Sequence, residues 1–323
     1  MPTLYLIDGY AQFFRAFHAI RTPMSSPVTR EPTNMTFGFV GMLLKLLKGE
    51  GKAMAAAGGK PDYIALALDV SGDRGTFRSE IYPDYKATRD EPPEALFPQV
   101  DRCLAMLKEL GVPILGAPGF EADDVIATLV TSLRKQHSDL RIRIIAKDKD
   151  LKQLLRQPDS SGGGVEMFDI HTDVVTDEVS FKAETGLTPA QVIDMLTLMG
   201  DNVDNVPGVE GIGDKTAAAL IARYGTLDNL LSKAGEIKGK RGENIRAAAD
   251  LLSLSRRLVT LRHDAPVDLD CGERGSSGFE KVLVAIELLA MQHLAPNRRN
   301  PVLYRSLTVA ALMRSKRLLR RNP

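Results

Sequence analysis

Nine carboxylates enter this chain in five separate pieces, and their placement constrains the fold more than any other feature. Asp8 follows the apolar run 4–7, and Asp69 follows the run 63–68. Glu121, Asp123 and Asp124 stand in GFEADDVIATL, at the start of an amphipathic pattern. Asp148 and Asp150 stand in IIAKDKDL, just past another apolar run, and Asp201 and Asp204 stand in LMGDNVDNVPG. A fold that gathers these pieces sets nine like charges in one site. Two unit charges about 4 Å apart repel by about 4 kcal/mol at an effective dielectric of about 20. Such a cluster persists only with multivalent cations or with several raised pKa values. Carboxylate oxygens are hard ligands and select Mg²⁺ or Mn²⁺. The expected chemistry is metal-dependent transfer at phosphate.

Singly, each piece has a plainer reading. An Asp-Gly pair after a strand is often only a turn. One acid at a helix start serves as an N-cap, although three within four residues exceed that need. Asp148 and Asp150 point the same way if their segment is extended. Asp201 and Asp204 share a face if theirs is helical.

Short apolar runs at 4–7, 63–68 and 141–145 read as buried strands, and amphipathic patterns at 10–20, 37–48, 96–110 and 122–136 read as helices between them. This alternation predicts an α/β fold, a mainly parallel central sheet with helices on both faces. Acids at the carboxyl ends of strands are where such sheets place their sites. From about residue 190 the pattern is wholly helical. The expected organisation is an α/β domain over 1–190, a helical region over 191–295 and a basic tail over 296–323. Three loops stand out: 24–34, the charged stretch 71–93, and QPDSSGGG at 157–164, expected to be a flexible surface insert.

The 323 residues are 44% hydrophobic and 26% charged, ordinary for a soluble globular chain. The net charge of +1 conceals an asymmetry. The last 28 residues carry eight Lys and Arg and no acid. Removing those eight from the 42 leaves 34 basic against 41 acidic residues, a net of −7 before residue 296. Bound metal would offset that deficit. Cys103 and Cys271 form no metal-type spacing and no disulfide framework, which fits a reducing cytoplasm. MPTLYLIDGY reaches an acid too soon for a signal peptide, and no apolar run is long enough for a membrane span.

Cations accompany the acids. In TFRSEIYPDYKATRD, Arg78, Lys86 and Arg89 alternate with Tyr82 and Tyr85. Such interleaving suits a single strand, with cations on phosphates and rings on bases, although a solvated loop has the same composition. In GVEGIGDKTA, Gly208, Gly211 and Gly213 permit a tight turn ahead of a helix whose free N–H groups face an anion. The cations Lys238, Lys240 and Arg241 either extend that surface or belong to a solvated loop.

Taken in order, LIDGYAQFFRAFHA, LALDVSGDRGTFRSEIYPDYKATRD, GFEADDVIATL, IIAKDKDLKQLL and LMGDNVDNVPGVEGIGDKTA resemble the 5′ nuclease domain of bacterial DNA polymerase I and its phage and flap-endonuclease relatives. The resemblance runs from about residue 3 to about residue 290. It implies a PIN-like sheet domain, a helical arch at about 71–95, and a helix–hairpin–helix element. It also implies a two-metal site that leaves a 5′-phosphate and a 3′-hydroxyl. Asp8, Asp69, Glu121 and Asp123 would dominate one Mg²⁺ (or Mn²⁺), and Asp148, Asp150 and Asp204 the second, with Asp124 and Asp201 in outer positions. Lys86 and Arg89 match arch cations near the scissile phosphate, and Arg78 a position leading into the arch. Arg15 either approaches the 5′ end or forms an ion pair. Around Val209 and Ile212 the hairpin carbonyls would hold K⁺, with Lys215 and Thr216 on duplex phosphates. Phe120 replaces a tyrosine frequent in relatives. The implied activity is removal of 5′ flaps and RNA primers near single-strand/duplex junctions in replication and repair, by a monomer. A scaffold that lost catalysis would show gaps among the acids, and a PIN-like ribonuclease would lack the hairpin.

Overall fold

The computed structural model describes residues 1–56 and 59–269. The basic tail and the end of the predicted helical region lie outside the described residues. In chain order the elements are β1 Thr3–Asp8, α1 Gly9–Ala19, α2 Asn34–Lys48, α3 Lys52–Ala56, β2 Tyr63–Ala67, α4 Phe77–Ile81, α5 Phe97–Glu109, β3 Ile114–Leu115, α6 Ala122–Gln136 and β4 Arg141–Ile145. Next come β5 Val165–Asp169, β6 Val174–Thr176, α7 Glu178–Thr185, α8 Val192–Met199, α9 Asp214–Tyr224, α10 Leu227–Ser232 and α11 Gly239–Val259.

The six strands form one sheet in the order β3-β2-β1-β4-β5-β6, parallel except for the last. Alternation along β1 shows why helices cover both faces. Leu4 and Leu6 enter one core, packed with Val125, Ile126 and Leu129 of α6. Tyr5 and Ile7 enter the other, packed with Phe13 of α1, Phe39 and Leu43 of α2 and Leu107 of α5. The first core runs on without a break through Leu196, Leu220, Ile245 and Leu252. The helical region is therefore fused to the sheet through shared apolar packing. Among the described residues no helix is long and apolar enough to cross a membrane.

The strand order reverses at β1: β2 lies on one side and β4 on the other. In a parallel sheet that reversal leaves a crevice beyond the carboxyl ends of the strands. Asp8 ends β1, Asp69 follows β2 by two residues, and Asp148 follows β4 by three. The N-terminus of α6, with Glu121, opens over the same edge, because Asp69 Oδ1 accepts from the Ala122 backbone N–H at 2.8 Å.

Two expectations differ from what is found. In the 71–95 stretch, α-helix is confined to α4, a 3₁₀ turn begins at Glu94, and residues 83–88 form tight turns. The 157–164 segment is tethered: Arg134 pairs with Asp159, and Asp159 accepts from the Ser161 N–H at 2.9 Å. Gly163 sits so close to Ser138 and Leu140 carbonyls that a β-carbon there would clash.

Candidate active site

Eight of the nine acids line one crevice at the switch point, divided into two chambers. The larger, of about 370 Å³, is bounded by Glu121, Asp123, Asp148, Asp150, Asp201 and Asp204. The smaller, of about 190 Å³, is bounded by Asp8, Asp69, Glu121, Asp123 and Asp148. Lys86 and Arg89 line both. The scattered pieces therefore converge, and the cations of the 71–95 stretch arrive with them.

Those cations are engaged with the acids. Lys86 Nζ lies 2.7 Å from Glu121 Oε1, and Lys149 Nζ lies 2.9 Å from Asp201 Oδ2. Arg89 donates to Asp204 through Nε at 3.0 Å and again through Nη2. Among the described residues no three acidic, His or Cys side chains form a group able to hold a metal ion as they stand. Ammonium and guanidinium groups hold oxygens of Glu121, Asp201 and Asp204, whereas Asp8, Asp69 and Asp148 accept from backbone N–H groups.

Internal cations do not neutralise the whole cluster. Burial, then the neighbouring Asp69 and Asp148, push Asp8 up to about 7. Burial and Asp148 push Asp150 up to about 8. Asp123 is raised well above the ordinary carboxylate range by burial and by Asp148, Asp8, Asp150 and Asp69. Burial also raises Asp69 and Asp148. Asp201 goes the other way: burial pushes it up, but the hydrogen bond and charge of Lys149 outweigh that and hold it low.

Several residues take places other than those expected. Asp124 is fully buried, and both its oxygens are taken. Arg78 Nη1 and Nη2 donate to it at 2.6 and 2.9 Å, and the Glu121 and Arg262 backbone N–H groups also donate. It holds the Arg78 guanidinium and the Glu121 backbone and lines neither chamber. Arg78 is 2% exposed and also donates to the Leu258 carbonyl at 2.7 Å. It fastens the end of α11 to the start of α6, donates to Glu121 at 3.3 Å and lies on the wall of the larger chamber. Tyr85 is likewise buried, its hydroxyl donating to Glu121 at 3.1 Å, so its ring cannot stack on a base. Tyr82 packs against the first core. Arg15 forms a two-pronged ion pair with Asp169, at 2.9 and 3.2 Å.

Local geometry differs too. The Asp150 N–H donates to Asp148 Oδ1 at 2.8 Å, so those two acids sit on a turn and not on a strand. Asp201 and Asp204 lie past α8, in a turn where Asp201 Oδ1 accepts from the Val203 and Asp204 N–H groups. In the hairpin, Val209 and Ile212 are buried. Gly208 serves packing, since a β-carbon would lie 2.3 Å from the Met199 carbonyl oxygen. Gly208→Ala is therefore expected to lose about 1–3 kcal/mol by overpacking, checked by thermal melting. Gly211 adopts a φ of 75°, open to solvent, which favours glycine. Gly213 precedes α9, where Lys215 is exposed and Thr216 half-buried. The sequence reading missed Lys149, which the DKD spacing of acids overshadowed, and Asn205.

With the site in view, comparison identifies the class. A family model described as the 5′-3′ exonuclease N-terminal resolvase-like domain matches residues 3–186, and one for the 5′-3′ exonuclease C-terminal SAM fold matches 187–280. The fold is PIN-like and resembles the T5 5′-exonuclease with bound zinc, at a TM-score of 0.60 and 23% identity over 88% of this chain and 93% of that one. The chain is 40% identical over 268 residues to DNA polymerase I of Rhizobium leguminosarum, covering 83% of this chain but 25% of that protein. It is 36% identical over 269 residues to the 5′-3′ exonuclease of Aquifex aeolicus, covering 83% of this chain and 85% of that one. The chain belongs to the 5′-3′ exonuclease family, a family of nucleases.

Proposed function

We propose that this chain is a structure-selective, two-metal 5′ nuclease that cuts phosphodiester bonds near single-strand/duplex junctions. The observation that carries the reading is the two-chambered acidic crevice with Lys86 and Arg89 on both chambers. The donor set fits hard divalent cations, being carboxylate oxygens throughout. One of them, Asp150 Oδ1, is buried with no hydrogen-bond partner. Asp8, Asp69, Glu121 and Asp123 would hold one ion, and Asp148, Asp150 and Asp204 the other, with Asp201 in an outer position. Bound there, Mg²⁺ or Mn²⁺ supplies an activated water and charge neutralisation at the leaving oxygen.

The chain's own groups do the rest. Lys86 and Arg89 bind the non-bridging oxygens of the scissile phosphate and offset the charge that develops on it. The helix start at Asp214–Ala217, with Lys215 and Thr216, holds a duplex phosphate and reads no sequence. The hairpin backbone from Gly208 to Gly213 is the proposed K⁺ position. Substrates are 5′-flapped or branched DNA and RNA-primed DNA, leaving 5′-phosphate and 3′-hydroxyl ends.

A labelled 5′-flap duplex should be cut near its junction in Mg²⁺ and left whole in EDTA. An intact flap under both conditions overturns the reading. Lys86→Ala should cut this substrate about 100-fold more slowly under single-turnover conditions. An unchanged rate would remove Lys86 from the scissile phosphate.

A further inference from the structure

The turn that carries Lys86 and Arg89 is fastened at two points to the loop that carries Asp201 and Asp204. The Lys86 backbone N–H donates to the Asp204 carbonyl at 2.9 Å. One residue on, Asn205 Nδ2 donates to the Asp84 carbonyl at 2.8 Å. Both sides of this clip are left-handed: φ is 56° at Lys86 and 54° at Asn205. Asparagine tolerates that conformation, whereas lysine adopts it rarely, so the surroundings must hold Lys86 there. The consequence reaches the side chains. With the backbone so turned, Lys86 Nζ comes within 2.7 Å of Glu121 Oε1 and Arg89 Nε within 3.0 Å of Asp204 Oδ1.

We infer that Asn205 is a positioning residue: its amide grips the Asp84 carbonyl and holds the 84–89 turn so that the Lys86 ammonium faces the crevice. Asn205 needs no contact with substrate for this, since it acts through Lys86. The inference rests on the role given to Lys86 under Proposed function.

Asn205→Gly tests it, because glycine keeps the left-handed backbone and removes only the amide. Single-turnover cleavage of the 5′ flap should fall about 10-fold, the scale of a small displacement of a catalytic group. Flap affinity in Ca²⁺ should change by less than about 2-fold, and melting by no more than about 2 °C. Asn205→Asp, which also accepts a positive φ but has no donor, should reproduce the loss if the glycine variant folds poorly. The decisive measurement is the cycle with Lys86→Ala. In the double variant the two losses should combine to clearly less than their product, because with Lys86 truncated Asn205 has only Arg89 left to position. Losses that multiply in the double variant, or a full rate in both Asn205 variants, overturn the inference. Absence of cleavage by the unaltered protein overturns the proposed function instead, so the two failures are distinguishable.

Discussion

Asp148→Ala is expected to cut a 5′ flap at least about 10³-fold more slowly than the unaltered protein, while still binding the flap in Ca²⁺. Asp148 is one of three acids that line both chambers, so its loss removes an oxygen donor from the proposed home of each ion. It is also the neighbour that raises Asp8, Asp123 and Asp150. That gives the same position a second, opposite effect on stability. Asp148→Asn keeps an oxygen to accept from the Asp150 N–H and removes only the charge. In EDTA at about pH 8 it should therefore melt several degrees higher than the unaltered protein, since repulsion among the remaining acids falls. Full cleavage by Asp148→Ala would strike Asp148 from the ligand set. A lower melting temperature for Asp148→Asn would refute the electrostatic account of the cluster.

The sheet and its helices were legible because their periodicities are strong. The predicted helix 122–136 coincides with α6, and the run 141–145 with β4. Strands β3, β5 and β6 were not anticipated: β3 is two residues long, β6 is three, and β6 takes its position from antiparallel pairing with β5. That pairing is a tertiary fact with little local signature. The acids were legible as a set since eight of nine face one crevice. Their individual partners were not. Arg78 and Lys86 stand in one charged stretch and look alike in sequence, and both reach Glu121, yet Arg78 is locked by Asp124 and the Leu258 carbonyl between α6 and the end of α11 while Lys86 lines both chambers. The distinction depends on Leu258, which is 180 residues from Arg78 along the chain. Tyr85 shows the same limit: alternating aromatics and cations suggest stacking, but its hydroxyl spans Glu121 and Asp204. Asn205 carried no signal beyond its asparagine, because its role lies in a φ value and a carbonyl from another loop.

The metal-free protein should lose heat stability as pH rises from about 5 to about 8, by on the order of 10 °C, and Mg²⁺ should restore most of it at the upper end. The sign follows from the acids. Asp8, near 7 in the fold, and Asp150, near 8, both titrate close to 4 when the chain is unfolded. Between those limits the folded protein holds protons that the unfolded chain has released, so each pH unit costs about 1.4 kcal/mol per such group. Asp69, Asp123 and Asp148 are displaced in the same direction. Burial holds His171 below its ordinary value, which favours the fold as pH rises, but it is one group against several. Carboxylates held low, such as Asp169 and Asp201, lose their contribution only in more acid solution. Divalent ions compete with protons for the same oxygens, so the melting shift from saturating Mg²⁺ should be small near pH 5 and large near pH 8. Melting curves in EDTA and in Mg²⁺ across this range measure both trends. A metal-free protein that grows more stable toward pH 8, or a Mg²⁺ shift independent of pH, would mean that these carboxylates are not held close together in the fold.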